Sequence, residues 1–349
     1  MSEADRGPGP ALGAEYDLRA PVPSLTAEQL AVRAAILDTD DARDWEVTLC
    51  PCGGPGPDTL LSEVDRHGLP ARNVVCERCG LVRLSPRWRE ERYLRFYETE
   101  YRSLYNPSAL DKPAYARWVA DAPATRERAA WVVAAVAMHS KAAKPRIVEI
   151  GAGGGWNLAG LPRKWERIGY DVDDAYLAVG REAFGLDMRH GLADVALPAL
   201  AAADLVLLSH VVEHLPDPSA TLRTIAAAMP PDALLLIEVP GIFRIHRTNL
   251  DPRSYLQNAH TFTFCAPTLR DACGRAGLVV LEIEETARAA CRPRGVIQRG
   301  DAHPGLAERI IAYLRRCDYG YRQYRRLGAV PLVGRYLAYG WKCAWFGLL

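Results

Sequence analysis

Two cysteine pairs, Cys50-Pro51-Cys52-Gly53 and Cys76-Glu77-Arg78-Cys79-Gly80, supply four thiols of the kind that surround a tetrahedral zinc ion, each pair followed by a glycine that permits a tight knuckle. The second pair has the two-residue gap expected of a knuckle, and the first has one intervening residue, so His67 is the reserve ligand for Cys50 or Cys52. Nine cysteines is an odd number, and the clustering of these four favours metal ligation over a disulfide framework. A different chemistry is suggested by Val148-Glu149-Ile150-Gly151-Ala152-Gly153-Gly154-Gly155, a glycine-rich turn after an apolar run, where backbone can pass close to a ligand. Twenty residues after Gly151, Asp171 closes Ile168-Gly169-Tyr170-Asp171, and a carboxylate there can accept both hydroxyl hydrogens of a ribose. Proton removal is the third chemistry. His210, Glu213 and His214 cluster together, His260 stands in Asn258-Ala259-His260-Thr261-Phe262, and histidine is the usual base at neutral pH.

The elements that must position these residues alternate as in a parallel sheet. Strands are predicted at Arg146 to Ile150, Arg167 to Asp171, near Leu186, at Asp204 to Ser209 and at Ala233 to Val239, with helices between them. The apolar runs Leu205-Val206-Leu207-Leu208 and Leu234-Leu235-Leu236-Ile237 suit strands covered on both faces. This order puts the glycine turn, Asp171 and His210 at carboxyl ends of strands, where open α/β sheets bind ligands. A helix from Pro267 to Gly277 and a strand from Leu278 to Ile283 follow. Upstream, Thr26 and Gln29 have capping-box spacing and start a short helix reaching about Leu37. Residues 87–105 turn helical with Tyr93, Tyr97, Tyr101 and Tyr105 on one stripe, and another helix runs from Ala122 to about His139.

The sequence Glu149-x-Gly151-x-Gly153-x-Gly155, then Asp171, Asp204-Leu205-Val206, His210-Val211-Val212-Glu213-His214-Leu215-Pro216 and Glu238-Val239-Pro240 resembles the successive motifs of class I S-adenosylmethionine-dependent methyltransferases over residues 146–285. The resemblance implies a cofactor site at Glu149, Gly151, Ala152, Gly153, Asp171, Val172, Leu192, Ala193 and Ser209. Many relatives carry an Asp at the position of Leu192. Cys76-x-x-Cys79-Gly80-Leu81-Val82, Pro86, Phe96-Tyr97 and Tyr101 resemble the N-terminal zinc module of sugar C-methyltransferases and related natural-product enzymes, whose zinc is structural and whose tyrosines help form the acceptor site. The His260 segment resembles the one that carries a catalytic histidine there, although Ala259 replaces a glutamate. This implies His260 as base, assisted by His210 or Tyr255, whereas His214 is expected to be structural.

The expected fold is α/β: a Rossmann-like class I methyltransferase sheet at 146–300, a zinc-binding module at 45–85, a helical connector at 86–140, a helical C-terminal extension at 301–349, and a Pro-, Gly- and Ala-rich disordered tail at 1–25. The expected reaction is methyl transfer to the oxygen or carbon of a sugar or secondary metabolite. Three readings compete with it. A nicotinamide site would suit a glycine turn, but Gly-x-Gly-x-Gly departs from Gly-x-Gly-x-x-Gly. An RNA base methyltransferase would use Arg72, Arg78, Arg83, Arg87, Arg89, Arg92 and Arg95, yet Glu77, Glu90, Glu91, Glu98 and Glu100 are interleaved and the net charge is only +1, so a nucleic-acid partner is not expected. The third rival is a non-catalytic cofactor-binding scaffold. No secretory signal or uncharged run of about 18 apolar residues is present, which makes the cytoplasm the expected location. Residues 330–349, with Trp341, Trp345 and Phe346, are expected to pack on protein, with contact to a membrane surface as the alternative.

Overall fold

The computed structural model describes residues 9–18, 25–53, 56–105, 112–248, 250–285, 287–293, 296–298 and 300–328. In chain order the strands are β1 (Trp45–Glu46), β2 (Asp58–Val64), β3 (Pro70–Cys76), β4 (Val82–Leu84), β5 (Arg87–Trp88), β6 (Arg146–Ile150), β7 (Glu166–Asp171), β8 (Asp187–His190), β9 (Leu205–Ser209), β10 (Leu234–Glu238), β11 (Phe262–Thr263), β12 (Leu278–Ile283) and β13 (Arg288–Pro293). The helices are α1 (Ala27–Asp38), α2 (Glu90–Thr99), α3 (Tyr101–Tyr105), α4 (Lys112–Asp121), α5 (Pro123–His139), α6 (Trp156–Ala159), α7 (Asp174–Phe184), α8 (Ala193–Leu200), α9 (Pro218–Ala228), α10 (Ala266–Arg275) and α11 (Leu306–Gly328). None of them is long and apolar enough to cross a membrane. The segment 330–349, read as packing on protein or on a membrane surface, lies outside the described residues, as do 1–8 and 19–24 of the expected tail.

Packing divides the chain into two units, and neither is contiguous in sequence. The larger holds residues 90–239 and 266–300. Its seven strands are ordered β12-β13-β10-β9-β6-β7-β8. The strands from β10 to β8 run parallel, and β13 is antiparallel to both of its neighbours. The five predicted strands of the parallel block are all present. Every residue of β9 and β10 is buried, as their unbroken apolar runs require of central strands covered on both faces. The chain moves outward from β6 through β7 to β8 and then returns to β9 on the other side of β6. The carboxyl ends of β6 and β9 therefore flank the point where strand order reverses, the usual ligand crevice of an open α/β sheet. Strand β13 was not expected: Arg288-Ala289-Ala290-Cys291 has no β-branched residue to announce it, and it pairs because Ala289 and Ala290 are buried between β10 and β12.

The smaller unit holds residues 1–89, 240–265 and 301–349. A four-stranded sheet, β11-β4-β3-β2, is its centre, and the hairpin β2–β3 ends at Cys76. Residues 240–265 and α11 thus join the cysteine-bearing segment, where the sequence reading had assigned them to the main domain and to a separate extension. The reason is pairing and burial. Strand β11 hydrogen-bonds to β4, and Leu306, Ile310, Leu314 and Cys317 of α11 complete a core with Leu61, Val75, Val82, Ile242 and Leu256. Residues 9–18, read from composition as part of a disordered tail, are placed in this core as well. Leu12 and Tyr16 are buried, the Tyr16 hydroxyl donates to Asp318 at 2.8 Å, and Ala11 donates its N–H to the Leu60 carbonyl at 2.8 Å and accepts from Arg315 at 2.9 Å, which ties down a segment poor in apolar residues. Helix α1 begins at Thr26 with both bonds of the capping box formed.

Candidate functional site

In the larger unit β6 delivers the glycine turn to the sheet's carboxyl edge. Gly151 has φ 73° and a Cβ there would lie 2.5 Å from Val211 Cγ2. Gly153 has φ 54° and its Cβ would meet the Trp156 indole at 2.5 Å. Both positions therefore exclude side chains by conformation and by space. Ala152 is buried within the turn and its N–H donates to the Tyr170 carbonyl at 2.9 Å. At the end of β7, Asp171 accepts from Gly153 N–H at 2.7 Å and from Asp173 N–H at 2.9 Å. One bond to each carboxylate oxygen leaves a second acceptor site on each. Beside it the Gly191 N–H donates to the Asp171 carbonyl at 3.0 Å, which brings the loop after β8 against the strand end. Val172 and Leu192 there are 45% and 47% exposed, an apolar surface next to an acceptor carboxylate, and Ala193 opens α8.

Glu149, expected to touch a ligand, is fully buried beneath the turn. Its Oε1 accepts from Asn157 Nδ2 at 2.6 Å, and Oε2 has no hydrogen-bond partner. Burial pushes its pKa up to about 8, which leaves the carboxyl protonated at neutral pH. The folded pKa lies above the ordinary 4.5, so this group's contribution to stability is complete below about 4.5 and is lost as pH rises through 8. Glu149→Gln, which imitates the protonated acid, is expected to flatten that fall; urea unfolding at pH 5 and pH 8.5 checks it, and equal slopes in the two proteins would contradict the assignment.

His210 follows β9 with φ 56°, a strained region for a residue with a side chain, and is held there by its N–H donating to the Glu238 carbonyl at 2.8 Å. Its Nε2 lies 3.2 Å from Arg128 Nη2. Arginine can only donate, so Nε2 accepts, and the ring proton sits on Nδ1, 3.3 Å from Glu213 Oε1. Glu238, the last residue of β10, is buried. It holds Arg128 through Oε2 and Arg288 through Oε1, and Ser209 Oγ donates to it at 3.1 Å. Burial alone would raise its pKa, but the neighbouring guanidinium groups of Arg128 and Arg288 outweigh that and bring it down to about 2. Ser209, expected near cofactor, thus spends its hydroxyl on Glu238.

The tyrosine stripe is interrupted between α2 and α3 yet stays continuous in space: Tyr93 stacks on Tyr97 and Tyr101 on Tyr105, with ring centroids 6.3 and 4.9 Å apart. Tyr93 and Tyr105 are buried at its ends. In its middle the Tyr97 hydroxyl lies 2.9 Å from His214 Nδ1.

In the smaller unit the four cysteine sulfurs lie within 4.8 Å of one another, with Cys50 3.5 Å from Cys79 and Cys52 3.8 Å from Cys76. A tetrahedral zinc with bonds of about 2.3 Å needs sulfurs roughly 3.8 Å apart, so the single-residue gap of the first pair is accommodated by setting each of its sulfurs against one of the second pair. Gly80 is left-handed at φ 71°, and a Cβ there would strike Leu306 at 2.5 Å. The reserve ligand His67 is outside this cluster, with its Nε2 accepting from Arg66 at 3.0 Å.

His260 belongs to the same unit, two residues before β11. It is buried, and its Nδ1 is 3.0 Å from the Tyr255 carbonyl. A carbonyl only accepts, which puts the proton on Nδ1 and the lone pair on Nε2. Tyr255 meets His260 through its main-chain carbonyl. Its side chain packs in the core with Ile242, Ile245 and Leu256, and burial raises the phenol pKa.

Two residues absent from the sequence-based site are Arg128 and Asn157. A readable signal existed for the first: the buried stripe of α5 is Thr125, Arg128, Ala129, Val132, Ala135 and Val136, and an arginine in the middle of such a stripe demands a buried partner.

A family model described as a methyltransferase domain matches residues 82–283, more than half of the chain. Among curated proteins none matches the sequence. Among solved structures, the chain is similar to 1,6-didemethyltoxoflavin-N1-methyltransferase from Burkholderia thailandensis, bound to 1,6-didemethyltoxoflavin and S-adenosylhomocysteine, at 17% identity over 62% of this chain and 96% of that one, with a TM-score of 0.44. It is also similar to an S-adenosylmethionine dependent methyltransferase from Mesorhizobium loti, at 16% identity over 46% and 96% of the two chains with a TM-score of 0.36. The CurJ carbon methyltransferase is 15% identical over 49% and 54%, with a TM-score of 0.38.

Proposed function

Because the chain belongs to the methyltransferase family, as an S-adenosylmethionine-dependent enzyme, we propose that it methylates the oxygen or carbon of a sugar, nucleotide-linked or in a glycan, or of a secondary metabolite, with His260 as the base. The observation that carries the cofactor assignment is the bond between Gly153 N–H and Asp171, which locks an uncluttered glycine turn to a carboxylate with acceptor capacity left for ribose hydroxyls. Gly151 and Gly153 let backbone approach the ligand, and Val172 and Leu192 offer an apolar face to a purine. Bound S-adenosylmethionine supplies an electrophilic methyl group on a sulfonium sulfur. The chain's part is to hold the acceptor in line with that methyl and to take its proton on His260 Nε2. The sugar class rests on the sequence resemblance of residues 76–101 and 258–264. A structural zinc on Cys50, Cys52, Cys76 and Cys79 completes the smaller unit; four thiolates leave no open position and hence no activated water. Five arginines of the RNA reading are committed to carboxylates, Arg72 to Glu63, Arg83 to Asp58, Arg87 and Arg89 to Glu46 and Arg92 to Glu100, which supports the small-molecule reading.

Incubation with methyl-labelled S-adenosylmethionine and a panel of nucleotide sugars, glycans, metabolite phenols and RNA tests this. Label is expected in a sugar or metabolite. His260→Ala is expected to lower turnover by about 10²–10⁴-fold with S-adenosylhomocysteine affinity unchanged. Undiminished turnover in that variant would remove His260 from the chemistry, and label in RNA alone would replace the acceptor class.

A further inference from the structure

A chain of polar contacts, buried up to its exposed end at His210, runs from beneath the glycine turn to the residue after β9, and it passes through Arg128, a side chain left out of the cofactor site by the sequence motifs. Glu149, two residues before Gly151, accepts from Asn157 Nδ2 at 2.6 Å. Asn157 Oδ1 accepts from Arg128 Nη1 at 2.8 Å, and Arg128 Nη2 donates to His210 Nε2 at 3.2 Å. The Arg128 Nε–H goes to Glu238. The guanidinium therefore sits among the carboxyl ends of β6, β9 and β10, beside the point where strand order reverses.

Its pairing is incomplete. Glu238 is shared: Oε1 takes both Nε and Nη2 of Arg288, at 2.8 and 2.7 Å, while Oε2 serves Arg128 and also accepts from Ser209. Arg288 has a second carboxylate in Glu127, at 2.9 Å. Arg128 has none, since its other two partners are a neutral amide and an imidazole nitrogen that must be unprotonated to accept. Of five guanidinium N–H groups, three have partners among the described residues. Two remain, one on each terminal nitrogen, a fork that matches a carboxylate. Buried N–H groups left without an acceptor are costly, and a carboxylate would satisfy both.

We infer that Arg128 is the anchor for the α-carboxylate of the cofactor's amino-acid end, held in place by Asn157 and Glu238. The inference rests on the assignment of the glycine turn to S-adenosylmethionine. It adds a ligand contact supplied by α5, a helix upstream of every motif that marks the cofactor site. Asn157 and Glu238 are positioning residues: one spaces the guanidinium from the turn, and the other fixes its plane.

The test compares S-adenosylhomocysteine with 5′-methylthioadenosine, which has the same nucleoside and thioether but no amino-acid carboxylate, by calorimetric titration of the full chain. Arg128→Met is expected to weaken S-adenosylhomocysteine by about 10- to 100-fold, the value of a charged hydrogen-bonded contact, and to leave 5′-methylthioadenosine within twofold of wild type. Arg128→Lys, which keeps the charge and loses the fork, is expected to fall between. Because Arg128→Met strips one partner from buried Glu238, the double variant Arg128→Met with Glu238→Gln repeats the comparison without the stranded half-charge, and melting curves confirm that each protein is folded. An equal loss for both ligands, or no loss for either, overturns the inference while wild-type binding of S-adenosylhomocysteine leaves the cofactor assignment standing. Failure of wild type to bind either ligand overturns both.

Discussion

Asp171→Ala is expected to weaken S-adenosylhomocysteine by about 10²–10⁴-fold, because two hydrogen bonds to a charged group, each worth roughly 1.5–3 kcal/mol, are lost at once. The same substitution frees Gly153 N–H and Asp173 N–H, which the carboxylate holds at 2.7 and 2.9 Å, so the turn loses its tie to β7 as well as its ligand contact. Asp171→Asn separates these roles. Its amide nitrogen cannot accept from Gly153, yet its oxygen can still accept one bond, so an intermediate affinity is expected. Calorimetric titration of both variants checks the order, and an alanine variant binding within threefold of wild type would mean that Asp171 only shapes the turn.

Loss of the proposed zinc is expected to have the second large effect. The wild-type chain should carry one zinc by elemental analysis, and Cys76→Ser should lose it. Cys76 closes β3, and its main chain is bonded both ways, its N–H to the Leu81 carbonyl at 3.0 Å and its carbonyl to Gly80 N–H at 2.8 Å. Loss of the ion therefore loosens the end of the central hairpin and the Leu306 contact at Gly80. Structural zinc contributes about 10–16 kcal/mol in isolated finger peptides. Here a hydrophobic core built from Leu61, Val75, Val82 and α11 shares the burden, so a fall in melting temperature of at least about 5 °C is expected, with the fold partly retained. Metal-free wild type, or a serine variant with unchanged melting, would show that the four thiols are merely packed together.

The parts of this molecule legible in the sequence are those whose signal is local. An unbroken apolar run marks β9 and β10, the glycine turn marks the end of β6, and Thr26 with Gln29 marks the start of α1. Contacts between distant segments left no such trace. The burial of Glu238 has no local signal because its partners Arg128 and Arg288 are 110 and 50 positions away. Nor does anything nearby in sequence show that Ile242, Ile245 and α11 bury Tyr255. The assignment of residues 240–265 to the cysteine-bearing unit depends on the pairing of Phe262 with Arg83, a register that only the assembled sheet reveals. That pairing places the candidate base His260 on the same small sheet as the cysteine knuckles, so loss of zinc and loss of base positioning are expected together.

The most direct measurement is calorimetric titration of the full chain with S-adenosylhomocysteine, with NAD as the control ligand. Stoichiometric binding of S-adenosylhomocysteine, no heat from NAD and loss of the signal in Asp171→Ala are the results expected. Binding of NAD instead, or of neither ligand by demonstrably folded protein, would contradict the assignment of the glycine turn and, with it, the proposed site.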